Sequence, residues 1–207
     1  MSDSEWRSDV TEALDARLVR RALELLEDQP AERVSLRRVA QSLGVSHQAP
    51  YVHFGSKRRF LAAVGGAGLQ QAADRARSVV EAAAADPLLR LHALLDAYLE
   101  FIRERPFVHD LAFGPLVAKS DHPALQRAAA DHWDLLHDTV AACQPPRTSE
   151  ADVLRRCAVI WGTVYGVARL EALGQIPASV PADHGALPHQ AVDTLHHGWQ
   201  DAGATEA

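Results

Sequence analysis

Apolar residues recur at intervals of three and four along almost the whole chain, which is the period of helices with one buried face. From Val10 to Leu26 they stand at positions 10, 13, 14, 18, 22, 25 and 26, and similar patterns run through 88–105, 125–143 and 151–173. No segment alternates polar and apolar residues as a half-buried strand does. The sequence therefore predicts an all-α protein of about nine helices, the last of them at 189–199.

The composition is that of a globular protein, with 47% hydrophobic and 23% charged residues among 207. No apolar run approaches the ~20 residues that span a bilayer, and the first twenty residues hold no apolar signal segment. We therefore expect a cytoplasmic protein without a membrane partner. Cys143 and Cys157 are the two cysteines, too few for a disulfide framework, and we expect both to be buried and reduced.

The charge is distributed unevenly. The whole chain has 21 basic and 27 acidic residues, yet residues 33–59 hold six basic residues and no acidic one, with His47 and His53 in addition. Residues 61–207 carry the excess of negative charge. A positive segment in an acidic protein indicates an anionic partner that binds to this segment alone, although a solvated basic face is the alternative.

Residues 34–46 have the spacing of a helix-turn-helix. Ala40 is small where two helices would cross, Gly44 permits the positive φ of a tight turn, and Val45 can fill the space between the helices. The second helix, about His47–Phe54, would then be free to enter a major groove. An Ala-x-x-x-Gly pattern alone also recurs in ordinary helical proteins.

The continuation through residues 44–61, Gly-Val-Ser-His-Gln-Ala-Pro-Tyr-Val-His-Phe-Gly-Ser-Lys-Arg-Arg-Phe-Leu, resembles the signature of the TetR family of bacterial transcription regulators. In that family the recognition helix ends in Tyr-x-(Tyr/His)-Phe, and Lys-x-x-Leu opens the fourth helix. Two departures are Ala49-Pro50, from which we expect a shortened or tilted recognition helix, and Phe60 in place of an aliphatic residue. Residues 161–170 are similar to the Trp-x-x-x-His-Gly stretch of one group of TetR C-terminal domains, with Tyr165 at the His position.

The resemblance implies a three-helix, helix-turn-helix DNA-binding head at residues 1–60 and a helical ligand-binding and dimerisation body at 61–207. It further implies a homodimeric regulator, a repressor that binds a near-palindromic operator in double-stranded DNA. A largely apolar small-molecule effector would release it. Neither a cofactor nor a metal is implied.

Roles in DNA binding fall to polar and basic residues of the head. Side chains that donate to phosphate set the register of the protein on DNA, and those at the exposed start of the recognition helix read base edges. We assign base contacts to His47 and Gln48, and the alternative is that both only face solvent. For Tyr51, the alternative to a phosphate contact is a ring packed in the core. The candidate DNA-binding residues are Ser35, Arg37, Arg38, Ser46, His47, Gln48, Tyr51, His53 and Lys57.

Aromatic residues of the body either line an effector cavity or form its core, and a few polar residues nearby could orient a ligand. The candidates are Tyr98, Phe101, Phe107, Phe113, Trp133, His137, Trp161, Tyr165 and Arg169. The spacing of five between His132 and His137 is poor for two metal ligands on one helical face. Gly65, Gly66 and Gly68 mark either a soft joint in a helix or a place where two helices pack closely.

Two other classes of function compete with a regulator. A small all-α enzyme would need a nucleophile with a base, paired carboxylates or a metal cluster, and none stands at an informative spacing. A helical adaptor would bind protein through the head, and the acid-free basic segment favours a more anionic partner. DNA binding that weakens steeply with salt separates a regulator from both.

Overall fold

A computed structural model describes residues 13–181 and 184–205 of the chain. Within these ranges it has nine α-helices and no strand, which confirms the all-α prediction. Residues 10–12, where the first helix was predicted to begin, lie outside the described ranges. The last helix is longer than the predicted 189–199. The helices are α1 Leu14–Leu25, α2 Leu36–Ser42, α3 Ala49–Phe54, α4 Lys57–Ala82, α5 Pro87–Glu104, α6 Pro106–Phe113, α7 Pro123–Ala142, α8 Glu150–Ala172 and α9 Leu187–Thr205.

The chain divides into two compact units. The first comprises the described residues up to Ala73 together with Phe101–His132, and the second comprises Asp74–Glu100 and the described residues from Trp133 onward. The first unit thus contains the predicted DNA-binding head and a further segment from the predicted body. The functional boundary at residue 60 stays a prediction.

The core of the first unit is built by α1 and α2 with the helices that follow them. Each contributes apolar residues three or four positions apart, as the sequence pattern predicts. Fully or almost fully buried members of this core include Leu18, Ala22, Leu26, Val34, Val39, Phe60, Val64, Leu69, Val108, Leu111 and Leu125.

Two glycines of α4 lie against the backbone or side chains of other helices in the first unit. A Cβ atom at Gly66 would stand 2.5 Å from the amide nitrogen of Leu125 and 2.6 Å from the carbonyl carbon of Ala124. A Cβ atom at Gly68 would collide with the side chain of Val108. The structure therefore supports the close-packing explanation of these glycines, because a Cβ atom at Gly66 would displace a helix backbone and one at Gly68 would displace the buried side chain of Val108.

In the second unit, α8 has one buried and one exposed face. Its buried side chains are Val153, Cys157, Ile160, Val164 and Ala168, at intervals of three and four. The opposite face exposes Val159, Gly162 and Leu170. Apolar residues thus occupy more than one face of this helix, and the described part of the chain buries only some of them.

Helices α5 and α9 of the second unit are joined by two reciprocal His–Asp pairs. His92 Nε2 lies 2.7 Å from Asp193 Oδ1, and His189 Nε2 lies 2.8 Å from Asp96 Oδ1. The two imidazole rings stack with centroids 5.4 Å apart. These contacts hold α9 against α5 through polar groups at half-exposed positions.

The two cysteines are free thiols and both are buried, as predicted. Burial raises the pKa of each thiol to about 11. The Sγ of Cys143 donates to the carbonyl oxygen of Pro87 at 3.2 Å.

Candidate nucleic-acid interface

The turn between α2 and α3 has the geometry that the sequence predicts. Gly44 has a φ of 68°, in the left-handed region that glycine adopts without steric cost. The amide of Val45 donates to the carbonyl oxygen of Ala40 at 3.1 Å, which closes the end of α2. The next segment begins with Ser46, whose Oγ accepts a hydrogen bond from the amide of Gln48 at 3.2 Å.

The recognition helix α3 begins two residues later than the predicted His47–Phe54. It has six residues, and Pro50 stands in its first turn, where a missing amide costs no helical hydrogen bond. Gly55, with a φ of 75°, ends it. Pro50 and Phe54 are buried, so the helix is anchored through one face and presents the other outward.

The aromatic ring of Phe54 fixes the C-terminal end of α3. It makes an edge contact with Phe60 of α4, with ring centroids 5.0 Å apart. His122, which precedes α7 in the same unit, lies on another side with its centroid 6.2 Å from that of Phe54. The orientation of the recognition helix is therefore set by packed rings of the first unit.

The side chains predicted to read bases stand directly before α3, where Gln48 is the N-cap residue. His47 and Gln48 are both exposed, and Gln48 Nε2 lies 3.2 Å from His47 Nε2. Each can still turn toward a base edge because neither is buried by the fold. Tyr51 is 47% exposed, so it is not the packed ring of the alternative explanation. His53 is exposed as well.

The candidates for phosphate contact lie at the starts of α2 and α4. The Oγ of Ser35 caps α2 by accepting a hydrogen bond from the amide of Arg38 at 3.4 Å, and a hydroxyl that accepts one bond can still donate another. Arg37 and Arg38 are exposed. Lys57 Nζ donates to the carbonyl oxygen of Glu32 at 2.9 Å. That contact holds the ammonium group beside the turn before α2.

A cleft of about 590 Å³ lies between α1 and α2. Three arginines line it, Arg21, Arg33 and Arg38, and one acidic residue, Asp28. The sequence pattern did not assign Arg21 or Arg33 to the interface. Arg21 belongs to α1, and only the folded structure brings it to α2, where its Nε donates to Ser42 Oγ at 3.2 Å.

Arg58, at the start of α4, has an acidic partner. Arg58 Nε lies 2.6 Å from Asp121 Oδ2 and forms an ion pair with it. The amide of Ala118 and the guanidinium of Arg58 both hold the pKa of that carboxyl below its usual range. Arg58 thus forms an exposed ion pair within the first unit.

The candidate effector residues divide between the two units. Tyr98, Trp133, Trp161 and Tyr165 belong to the second, where the two indole rings lie 5.8 Å apart. Burial raises the pKa of Tyr98, and a hydrogen bond from Trp161 opposes that shift. These four aromatic side chains stay candidates for the effector site.

Two other candidates of the second unit are polar. His137 Nε2 lies 2.9 Å from Glu150 Oε1, and its Nδ1 lies 3.2 Å from Asp138 Oδ1. The hydrogen bond with Asp138 and that with Glu150 raise the pKa of His137 above its usual value. Arg169 is exposed.

The remaining candidates belong to the first unit. Phe101 is buried in its core, and Phe107 and Phe113 pack against that core. Phe113 makes ring contacts with His109 and His132, and burial lowers the pKa of His132 to about 4. These phenylalanines have a packing role, and a role in effector binding stays a prediction.

Two other kinds of site are absent from the described part of the chain. There no group of three or more His, Cys, Asp and Glu side chains is arranged to hold a metal ion. No helix in those ranges is both long and apolar enough to cross a membrane.

An all-α chain that presents a short, exposed helix on a basic helix-turn-helix is a DNA-binding regulator in its architecture. Residues 18–64 match the family model for bacterial regulatory proteins of the tetR family, and residues 91–195 match the model for the tetracyclin repressor-like C-terminal domain. The second match alone covers half of the chain. The chain belongs to the TetR family, and it is a transcriptional regulator with a helix-turn-helix DNA-binding domain.

No curated protein matches the chain. Among solved structures, a protein of unknown function from Rhodococcus sp. RHA1 is 27% identical, with a TM-score of 0.72 over 91% of this chain and 96% of that one. The TetR family regulator PfmR from Thermus thermophilus is 18% identical, with a TM-score of 0.57 over 87% and 97%. FadR from Bacillus subtilis, solved in complex with stearoyl-CoA, is 13% identical, with a TM-score of 0.65 over 88% and 98%. At such identities PfmR and FadR show the fold alone.

Proposed function

We propose that this chain is a cytoplasmic, homodimeric repressor that binds a near-palindromic DNA operator and is released by a small-molecule effector. One observation carries the DNA-binding part. His47 and Gln48 are exposed directly before a short helix that is anchored by Pro50 and Phe54, within a segment that holds six basic residues and no acidic one. Gln pairs bidentately with adenine, and His donates to guanine N7 or to phosphate.

The homodimer is supported by the exposed face of α8. Val159, Leu170 and Leu173 are 45–54% exposed on that face, and a Cβ atom at Gly162 or Gly166 would meet nothing within 4 Å. A two-fold contact places the same patch of both copies together, and small residues at its centre allow two helices to approach closely. A second copy of this chain is therefore the partner that we assign to this face.

Control by an effector is supported by family membership and by the aromatic residues of the second unit. Trp133, Trp161 and Tyr165 are only partly buried, unlike Tyr98. The same fold holds stearoyl-CoA in the Bacillus subtilis protein, so it is compatible with an effector that has a long apolar chain. An effector that binds one conformation better than another shifts the population toward it, and release of DNA follows if that conformation fits the operator poorly.

DNA binding is tested by selecting duplexes from random DNA with the full-length protein and then measuring affinity at several salt concentrations. We expect a selected sequence with two related half-sites, and an affinity that falls linearly on a log–log plot against salt. Selection of no sequence, with weak binding that does not depend on salt, would favour a protein-binding adaptor or an enzyme.

The dimer is tested by light scattering at micromolar concentration. We expect twice the monomer mass of 22.5 kDa for the wild type. Val159→Asp, on the exposed face of α8, should give a folded monomer that binds operator DNA poorly. Val164→Asp is the matched control for misfolding, because Val164 is buried within its own chain. A wild-type protein that remains a monomer with and without DNA would contradict the homodimer.

A further inference from the structure

Val52 is the most exposed large apolar side chain in the described part of the protein. It is 81% exposed, whereas the other exposed large apolar residues range from 37% to 54%. Valine is also a weaker helix former than alanine, so neither packing nor helix propensity explains it at this position. A partner that covers α3 would explain it.

The direction of Val52 follows from the two residues that anchor α3. Pro50 and Phe54 are both buried, and each is two positions from Val52 along the helix. Two positions turn about 200° around an α-helix, so Val52 points away from the core with respect to both anchors. Gln48 stands four positions before Val52, and its carbonyl oxygen accepts a hydrogen bond from the amide of Val52 at 3.0 Å. The outward face of the recognition helix therefore carries Gln48 and Val52 together.

We propose that Val52 contacts the C5-methyl group of a thymine and is a specificity-determining residue of this regulator. This rests on the proposed function, because it requires α3 to enter the major groove. The edges of the four bases display donors and acceptors in that groove, and the thymine methyl group is their one apolar feature. An exposed aliphatic side chain on a helix in the groove can gain affinity there, whereas a solvated or phosphate-facing position would favour a polar residue.

The basic segment 33–59 that contains Val52 favours DNA as the occupant over an apolar protein surface, because it has six basic residues and no acidic one. Arg37, Arg38 and His53 are exposed within the same basic segment, which has no acidic residue. Residues four apart on a helix are separated by about 6 Å along its axis. Base pairs rise about 3.4 Å, so the thymine read by Val52 should lie one or two base pairs from the base read by Gln48.

The test uses the full-length protein and a duplex selected from random DNA, at one fixed salt concentration. Each thymine of a half-site is replaced in turn by deoxyuridine, which lacks only the methyl group. For the wild type, we expect one replacement per half-site to weaken binding about fourfold, the effect of removing one buried methyl group. Val52→Ala should bind the thymine and deoxyuridine duplexes equally at that position, and respond like the wild type at all others.

Val79→Ala is the matched control, since Val79 is an exposed valine of α4 outside α3. It should respond to every deoxyuridine as the wild type does. Val52→Ala should fold normally, because the side chain that it shortens is exposed.

Three outcomes would overturn the assignment. If the wild type binds its selected duplex and Val52→Ala responds to every deoxyuridine as the wild type does, Val52 reads no thymine and the regulator function stands. If Val52→Ala loses affinity equally for all duplexes, including unrelated ones, its role is a general contact. If the wild type selects no duplex, the proposed function fails together with this assignment.

Discussion

Replacement of Gly66 by alanine should destabilise the protein, although alanine is the better helix former. The added Cβ atom would stand 2.5 Å from the amide nitrogen of Leu125 and 2.6 Å from the carbonyl carbon of Ala124. Both are backbone atoms, so relief requires the helices to separate by about 1 Å and not merely a change of rotamer. Overpacking of this kind costs about 1–3 kcal/mol.

We place Gly66→Ala near the upper end of that range because the collision is with backbone. Because alanine is the better helix former, it stabilises α4 by about 1 kcal/mol relative to glycine. The net loss in the free energy of unfolding is therefore about 2 kcal/mol. For a protein of this size that corresponds to a fall of about 4–8 °C in Tm. Thermal unfolding followed by circular dichroism, with protein concentration held constant, measures it.

Gly198→Ala is the matched control. Gly198 also lies within a helix, and a Cβ atom there would meet nothing within 4 Å. That variant should gain about 0.4–1 kcal/mol, so the two substitutions have opposite signs. Equal or increased stability of Gly66→Ala would refute the close-packing account and restore the soft joint as the explanation of the glycines in α4.

Three further predictions concern DNA binding and pH. Lys57→Ala should weaken binding to all duplexes and reduce the slope of log K against log salt by about one unit, as measured by fluorescence anisotropy, whereas Lys119→Ala should leave the slope unchanged. Gln48→Ala should cost about 1–3 kcal/mol on the selected duplex and little on unrelated DNA, and an unchanged consensus after renewed selection would assign base reading elsewhere. Burial lowers the pKa of His132 to about 4, so the unfolded chain takes up the proton first as pH falls. The free energy of unfolding should therefore decrease by about 3 kcal/mol between pH 6.5 and 4. Urea unfolding curves at several pH values measure this decrease, and it should be smaller in His132→Phe. The same pH dependence in wild type and variant would contradict the burial effect.

The helix-turn-helix could be predicted from the sequence because its determinants are local. Gly44, Val45 and Ala40 lie within six positions of one another, and the turn that they predict is present, with a φ of 68° at Gly44. The period of apolar residues likewise predicted the helices, since a helix buries one face whatever it packs against.

Other features depend on residues far apart in the chain. The role of Gly66 is set by the backbone at Leu125, and the contribution of Arg21 to the basic cleft is set by α2. The outward direction of Val52 depends on which side of a six-residue helix is anchored, and so short a segment shows too little periodicity to decide that. The aromatic candidates could not be assigned to one unit or the other, because that assignment also depends on residues far apart in the chain.

The two buried thiols have a consequence for how this regulator can respond to its surroundings. With a pKa of about 11, about one thiol in 10,000 is a thiolate at pH 7, and only the thiolate attacks oxidants and alkylating agents. Peroxide and electrophiles should therefore leave Cys143 and Cys157 intact in the folded protein. A cysteine introduced on an exposed surface would then be the reactive one, so a fluorophore can be attached at a chosen site without replacing either native residue.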